Sequence, residues 1–221
     1  MMPPGLIIFD CDGVLIDSEV MAVEVLTATL TESGCPMSPA EGYAHLLGRS
    51  SSHATDWLAR ERGFALTPAV KALNRDRLLA RFDRDLAAMP GAAEVLATLP
   101  CQSCVASSSD PERLHHGLRV TGLWPLVEGR VFSAVEVARG KPAPDLNLHA
   151  AARMGVLPQR TWVIEDSPAG IMAAQAAGMR AIAFTGGAHM RPSGLADALA
   201  ALGPDATISN LTDLAGLMGG A

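Results

Sequence analysis

Aromatic residues are scarce in this chain: they make up only 4% of its 221 residues, although hydrophobic residues as a whole make up 49%. A substantial interior is therefore expected, and Ala, Leu and Val must fill it. Long apolar runs are missing as well. No stretch of about 18 consecutive apolar residues occurs, so we expect no membrane-spanning segment. The length suffices for one full core, or for a core with a small second domain.

Basic residues are outnumbered by acidic ones, 17 against 23, which gives a formal net charge of −6. This balance argues against nucleic acid as the main partner, because nucleic-acid-binding surfaces are basic. It leaves a phosphate ligand open, since a local site can be positive within an acidic protein. The first residues, 1–5, lack the basic start of a signal peptide, so we expect a cytoplasmic protein. Nothing in the sequence suggests an obligate dimer, and we expect a monomer.

Cysteine is also sparse, with four residues, and we expect reduced thiols. Cys101 and Cys104 form a C-x-x-C pair, but a strand-like segment follows them instead of the helix that would activate a thiol. No second pair completes a zinc site, and the six histidines show no metal-ligand spacing. The sequence therefore predicts neither redox chemistry nor zinc binding.

Strand-like and helix-like segments alternate along most of the chain. The apolar run of residues 6–9 is typical of a buried strand, and further strands are predicted at 101–106, 131–133, 162–164, 181–184 and 207–208. Helices predicted between and after them include 110–120, with Ser109 or Asp110 as its N-cap, and 192–202. This alternation predicts an α/β fold, a doubly wound, Rossmann-like parallel sheet with helices on both faces.

Residues 18–88 contain no convincing strand and are rich in Ala, Leu and Arg. Breaks at Gly34, Gly48, Gly63 and Pro68 divide the segment into short helices. We therefore predict a small helical cap domain, residues 17–88, inserted into a core formed by residues 1–16 and 89–221.

Polar side chains follow several of the predicted strands. Asp10 and Asp12 come directly after the first strand, where two neighbouring carboxylates are costly unless a metal ion or a reaction needs them. The other candidates are Ser107, Ser108, Lys141, Glu165 and Asp166. Because ligands bind beyond the carboxyl ends of parallel strands, these groups are expected to meet at one edge of the sheet. Such a set is typical of phosphoryl transfer with a divalent cation.

The motifs Asp-x-Asp-Gly-Val, a hydroxyl after the second strand, Lys-Pro-x-Pro-Asp and Glu-Asp-Ser-x-x-Gly-Ile resemble those of the haloacid dehalogenase superfamily. They occur in the family's order over nearly the whole chain. The resemblance extends to a helical cap between the first two motifs. It is closest to the branch that holds sugar-phosphate phosphatases and beta-phosphoglucomutase.

Each candidate residue has an expected role. Asp10 is the nucleophile that forms an aspartyl-phosphate, and Asp12 is the general acid and then the base, with a pKa raised by neighbouring carboxylates. Asp166 binds Mg²⁺ together with Asp10 and the backbone carbonyl of Asp12, and Glu165 holds a water on the metal. Phosphate is bound by Lys141, one of only two lysines beside fifteen arginines, and by Ser107 and Ser108.

Each of these residues also has an ordinary structural role as an alternative. Asp10 and Asp12 could cap a turn, Lys141 could be a solvated loop charge, and Ser109 is best explained as a helix cap. Glu165 and Asp166 could serve the dipole of the following helix, which is compatible with metal binding. In the cap, Arg49 and Glu19 are candidate specificity residues beside the default of solvated surface charges.

The leading prediction is an Mg²⁺-dependent phosphatase that acts on a small phosphorylated metabolite, such as a sugar phosphate. A beta-phosphoglucomutase-like mutase is the first alternative, but similar enzymes carry a histidine where this chain has Ala22. A dehalogenase lacks the second aspartate, and a phosphonate hydrolase needs a lysine in a cap loop, whereas the only cap lysine here is Lys71. An inactive phosphate-binding module remains the alternative of a different class.

Overall fold

The computed structural model describes residues 3–47 and 51–219, and within these ranges the strands form one six-stranded sheet in the order β3-β2-β1-β4-β5-β6. Every neighbouring pair is parallel. The strands are β1 (Leu6–Phe9), β2 (Gln102–Ser107), β3 (Val131–Ser133), β4 (Thr161–Glu165), β5 (Arg180–Phe184) and β6 (Ala206–Ile208). The predicted α/β, Rossmann-like fold is thereby confirmed.

The central strand β1 is completely buried because both faces of the sheet are covered. Ile7 and Phe9 pack into one apolar cluster, and Leu6 and Ile8 pack into the cluster on the opposite face. This split follows from the strand geometry, in which successive side chains point to opposite faces. Burying each such side chain stabilises the fold by about 1.5–3 kcal/mol.

Helices surround the sheet and fill the long connection between its first two strands. They are α1 (Glu19–Glu32), α2 (Pro39–His45), α3 (Ser51–Arg62), α4 (Pro68–Asp85), α5 (Ala92–Thr98), α6 (Pro111–Val120), α7 (Trp124–Val127), α8 (Asp145–Arg153), α9 (Pro168–Ala176), α10 (Met190–Ser193), α11 (Leu195–Ala201) and α12 (Leu214–Gly219). No helix in the described ranges is both long and apolar enough to cross a membrane.

Within the segment that holds α1 to α4, Leu30 of α1 and Leu58 of α3 lie in a separate apolar cluster. Leu78 and Phe82 of α4 belong instead to one of the two clusters that cover the sheet. The chain enters and leaves this segment at one place, where the amide of Asp17 donates to the carbonyl of Ala87 and the amide of Met89 donates to that of Leu15. This paired crossing coincides with the predicted domain boundaries. The division into a core and a cap stays a prediction.

One predicted helix is wrong. Residues 192–202 do not form a continuous helix, because Gly194 has a φ of +67° and separates α10 from α11. Apolar spacing runs through the break, and only glycine adopts this left-handed conformation without strain. The short helix α7 was not predicted.

The C-x-x-C pair lies in and beside β2. Cys104 is buried, and burial raises the pKa of its thiol to about 12. Burial also raises the pKa of Cys101. Since the thiolate is the reactive form, neither cysteine has the environment of a redox nucleophile.

Candidate active site

A cavity of about 830 Å³ opens at the carboxyl ends of β1, β2 and β4. Its wall contains the predicted residues Asp10, Asp12, Glu19, Ser107, Ser108, Lys141 and Asp166. The topology explains this, because parallel strands end at the same edge of the sheet. Arg49 lies outside the described residues.

A tight turn after β1 brings the first motif against the fourth. Gly13 has a φ of +76°, which favours glycine. A Cβ atom at this position would lie 1.8 Å from Oδ2 of Asp166. Gly13 is therefore required both for the turn and for the close approach of Asp166.

Lys141 is the cation at the base of the cavity, and its side chain is buried. Its Nζ lies 2.6 Å from Oδ1 of Asp10, 2.5 Å from Oε1 of Glu165 and 2.9 Å from the carbonyl oxygen of Ala106. Burial alone would lower the pKa of Lys141, but Asp10 and Glu165 raise it above its usual value. Lys141 is thus a fixed ammonium and not a solvated loop charge.

Asp10 shares this ammonium yet remains difficult to ionise. Burial raises the pKa of Asp10 to about 7, against the lowering effect of Lys141, and Glu165 adds to the rise. A metal cation beside Asp10, in addition to Lys141, would offset the cost of burying the charge and favour the ionised carboxylate.

Asp12 is held by three donors, and this corrects one expectation. Ser18 Oγ and Arg113 Nη2 both donate to Oδ1 over 2.6 Å, and Ser109 Oγ donates to Oδ2 over 2.6 Å. Burial would raise the pKa of Asp12, but Arg113 and the two hydroxyls lower it. The prediction that neighbouring carboxylates raise this pKa is wrong for the free protein, because a guanidinium and two hydroxyl groups hydrogen-bond Asp12 directly.

Asp10, Glu165 and Asp166 can bring one carboxylate oxygen each to within 4.8 Å of the others, and all three are buried. Burial and the nearby Asp10 raise the pKa of Asp166 well above its usual value. Such crowding of hard oxygen ligands fits a Mg²⁺ ion, which prefers carboxylates and water. Glu165 also binds Lys141 directly, a contact that the sequence did not predict.

The serines after β2 make contacts that differ from those predicted. Asp110, not Ser109, caps α6 and accepts a hydrogen bond from the amide of Arg113. Ser109 instead reaches Asp12, and its amide donates to Oγ of Ser107 over 3.0 Å. Ser107 is buried and Ser108 is exposed, and both line the cavity.

A sequence profile of the haloacid dehalogenase-like hydrolases matches residues 4–178. The chain belongs to the haloacid dehalogenase-like hydrolases. This hydrolase is 28% identical over 187 residues to the 6-phosphogluconate phosphatase of Escherichia coli (strain K12). The alignment covers 84% of this chain and 85% of the relative. The enzyme class predicted from the motifs, a phosphoric monoester hydrolase, is confirmed.

Two solved structures share the fold of this hydrolase over nearly the full length. The haloacid dehalogenase-like protein ATU0790 from Agrobacterium tumefaciens is 37% identical, with a TM-score of 0.82 and 98% of each chain covered. A hydrolase of the same family from Deinococcus radiodurans R1 is 33% identical, with a TM-score of 0.78 and 99% of each chain covered. The latter structure contains bound phosphate and sodium.

Two residues of the hydrolase's site were not predicted from the sequence. Arg113 lies in the first turn of α6, whose start faces the carboxyl end of β2. His189 follows β5 and is buried, with Nε2 3.0 Å from Oδ2 of Asp166. Ligands bind beyond the carboxyl ends of parallel strands. A search of the first helical turn after each strand, and of the segment after β5, would therefore have found both residues.

Glu19 begins α1 and lines the cavity, with Oε1 3.9 Å from Nη2 of Arg113. Burial raises the pKa of Glu19 from 4.5 to about 7, and Asp12 adds to the rise. The carboxyl group therefore keeps a proton in the folded state at a pH where the unfolded chain releases it.

Replacing Glu19 with glutamine is expected to stabilise the protein at pH 8 by about 2 kcal/mol. The stability that the Glu19 proton contributes is complete below pH 4.5 and is lost as the pH rises through 7. The variant lacks this loss, so its free energy of unfolding falls less between pH 4.5 and 8. Urea unfolding at both pH values measures the difference. Parallel pH profiles of E19Q and the native protein, or the same change in the exposed control E128Q, would contradict it.

Proposed function

We propose that the protein is a Mg²⁺-dependent phosphatase that hydrolyses a small sugar phosphate through an aspartyl-phosphate intermediate. The observation that carries the proposal is the buried contact between Asp10 and Lys141 at the base of a cavity that Asp166 also lines. A carboxylate, an ammonium and a candidate cation site thus meet where a phosphate group can enter. We further propose that the enzyme is a monomer of the cytoplasm.

In the first step, an oxygen of Asp10 attacks phosphorus and the bond to the leaving alkoxide breaks. Lys141 and Ser107 hold the oxygens of the transferring group, and Lys141 offsets the developing negative charge. Asp12 gives its proton to the leaving oxygen. Water then attacks the phosphoryl group on Asp10, and Asp12 takes the proton from that water. The bond between Asp10 and phosphorus breaks, which releases inorganic phosphate and regenerates the Asp10 carboxylate.

The ion pair between Asp12 and Arg113 fits the second step directly, because it keeps Asp12 as the carboxylate that accepts a proton. The first step needs the protonated form. A phosphate dianion bound beside Asp12 raises its pKa, since a like charge disfavours ionisation. Substrate binding thus supplies the shift that the free protein does not have.

The crowded carboxylates make a divalent cation part of the proposal. Asp10 and Asp166 would hold Mg²⁺, with the backbone carbonyl of Asp12 as a further ligand and Glu165 nearby. The ion would polarise the phosphoryl oxygens and screen them from the surrounding carboxylates.

Chelation with EDTA is expected to abolish hydrolysis, and Mg²⁺ is expected to restore it. In Asp166→Asn the Mg²⁺ concentration for half-maximal activity should rise about tenfold or more, because one anionic ligand is lost. The exposed control Asp197→Asn should keep the native value. Titration calorimetry with Mg²⁺ alone gives a second reading of affinity. Full activity in EDTA would contradict the metal site.

A sugar phosphate is supported by the size of the cavity and by the relatives. The E. coli relative is named for 6-phosphogluconate, and the D. radiodurans relative contains phosphate and a cation. Ala22 lines the cavity from α1 and offers only a methyl group. This position supplies no imidazole to a mutase, and the phosphatase is therefore favoured.

The test is release of inorganic phosphate from phenyl phosphate and from a panel of sugar, polyol and hydroxy-acid phosphates, with and without Mg²⁺. The proposal predicts metal-dependent turnover with a preference for small sugar or polyol phosphates. Conversion of a sugar 1-phosphate into its 6-phosphate would instead identify a mutase. Absence of turnover on every compound would favour the phosphate-binding module.

A further inference from the structure

Arg113 places a guanidinium in the wall of the cavity, directly beside Asp12. Helix α6 starts just after β2, and its first turn therefore points Arg113 back over the edge of the sheet. Nη2 lies 2.6 Å from Oδ1 of Asp12 and 3.9 Å from Oε1 of Glu19.

The guanidinium keeps donors that the protein does not use. Arginine has five N–H groups in a rigid plane, and the buried Nε of Arg113 has no hydrogen-bond partner in the described part of the chain. Cζ lies 5.7 Å from the ring centroid of Phe82 on α4. The ring supports the plane of the guanidinium, so its donors have a defined direction.

The position of Asp12 fixes what Arg113 can reach. In the proposed reaction, Asp12 hydrogen-bonds the oxygen that leaves phosphorus. Since Arg113 contacts the same carboxylate, a substituent on the carbon next to the phosphorylated carbon comes within its reach.

Glu19 restricts which substituent of the leaving group can bind beside Arg113. A hydroxyl can accept a hydrogen bond from Arg113 and donate one to Glu19, whereas a carboxylate only accepts and is repelled by an ionised Glu19. An alkyl group would cover the remaining donors of Arg113 and the carboxyl group of Glu19 without forming a hydrogen bond to either. A donor and an acceptor side by side therefore match a hydroxyl.

We propose that Arg113 and Glu19 form a specificity pair that binds the hydroxyl group on the carbon adjacent to the phosphorylated carbon. The inference rests on the proposed phosphatase function and narrows its substrates to vicinal hydroxyalkyl phosphates, the arrangement found in polyol and sugar phosphates. Alkyl phosphates and 2-phosphoglycolate are disfavoured.

Three small substrates test the pair at pH 8, where Glu19, with a pKa of about 7, is ionised. They are 2-hydroxypropyl phosphate, propyl phosphate and 2-phosphoglycolate, and the readout is the ratio of their kcat/KM values. The native enzyme should prefer the hydroxylated compound over propyl phosphate about tenfold or more. Arg113→Met should bring this ratio close to one, and Arg113→Lys should restore part of it. Glu19→Gln should raise the relative rate on 2-phosphoglycolate.

The ratio separates recognition from a structural role, because a general disturbance of Asp12 slows all substrates alike. The control is Arg139→Met, which removes an exposed arginine paired with Asp145 and should leave every ratio unchanged. An unchanged preference in Arg113→Met, or a native preference for 2-phosphoglycolate, overturns the inference while phenyl phosphate turnover upholds the phosphatase. Absence of hydrolysis of all four compounds overturns both.

Discussion

Replacement of Asp10 by asparagine is expected to lower kcat by at least about 10⁴-fold, because the amide cannot attack phosphorus. The two side chains have nearly the same shape, so the hydrogen bond from Lys141 and the packing of β1 should persist. The measurement is phosphate release from phenyl phosphate at saturating Mg²⁺, together with the free energy of unfolding of the variant.

The control for this change is Asp197→Asn, on the exposed side of α11, which alters the same chemical group away from the cavity. It should retain native kcat and KM. Turnover of Asp10→Asn within a few-fold of the native enzyme would show that another group accepts the phosphoryl group.

Replacement of Lys141 by methionine is expected to lower kcat/KM about 10³-fold, since the fixed ammonium that holds the phosphoryl oxygens is gone. It should also destabilise the protein by about 3 kcal/mol, because Asp10 and Glu165 remain buried without their cation. Arginine should not restore activity at this position, since a planar guanidinium does not fit between two carboxylates and a backbone carbonyl. Steady-state kinetics and urea unfolding measure the two effects.

Arg139→Met is the control, because it removes an exposed cation that is paired with Asp145 and does not line the cavity. Its stability and its activity on phenyl phosphate should stay close to native. If Lys141→Met were as stable and as active as Arg139→Met, the buried ion pairs would have no part in folding or catalysis.

The sheet could be predicted from the sequence because its strands are buried on both faces and appear as short apolar runs. The residues that end these runs could be located for the same reason, since a parallel sheet gathers its carboxyl ends at one edge. Asp10, Ser107, Lys141 and Asp166 were placed in this way. Their convergence follows from topology and needs no knowledge of side-chain contacts.

The environment of each carboxylate could not be predicted in the same way. The donor that lowers the pKa of Asp12 is Arg113, which is 101 positions away in the chain. Sequence shows that acidic groups are neighbours but not which cation folds against them. The break at Gly194 was missed for a related reason, because the spacing of apolar residues carries no information on a single backbone angle.

The most direct test of the account is to find which atom carries the phosphoryl group during turnover. The enzyme is mixed with substrate and Mg²⁺, quenched in acid within one turnover, and digested for mass spectrometry. We expect one added phosphoryl group on the peptide that contains Asp10, and none in Asp10→Asn. Phosphate release with the phosphoryl group on a different residue, or with no phosphorylated peptide at all, would contradict the aspartyl-phosphate mechanism at Asp10.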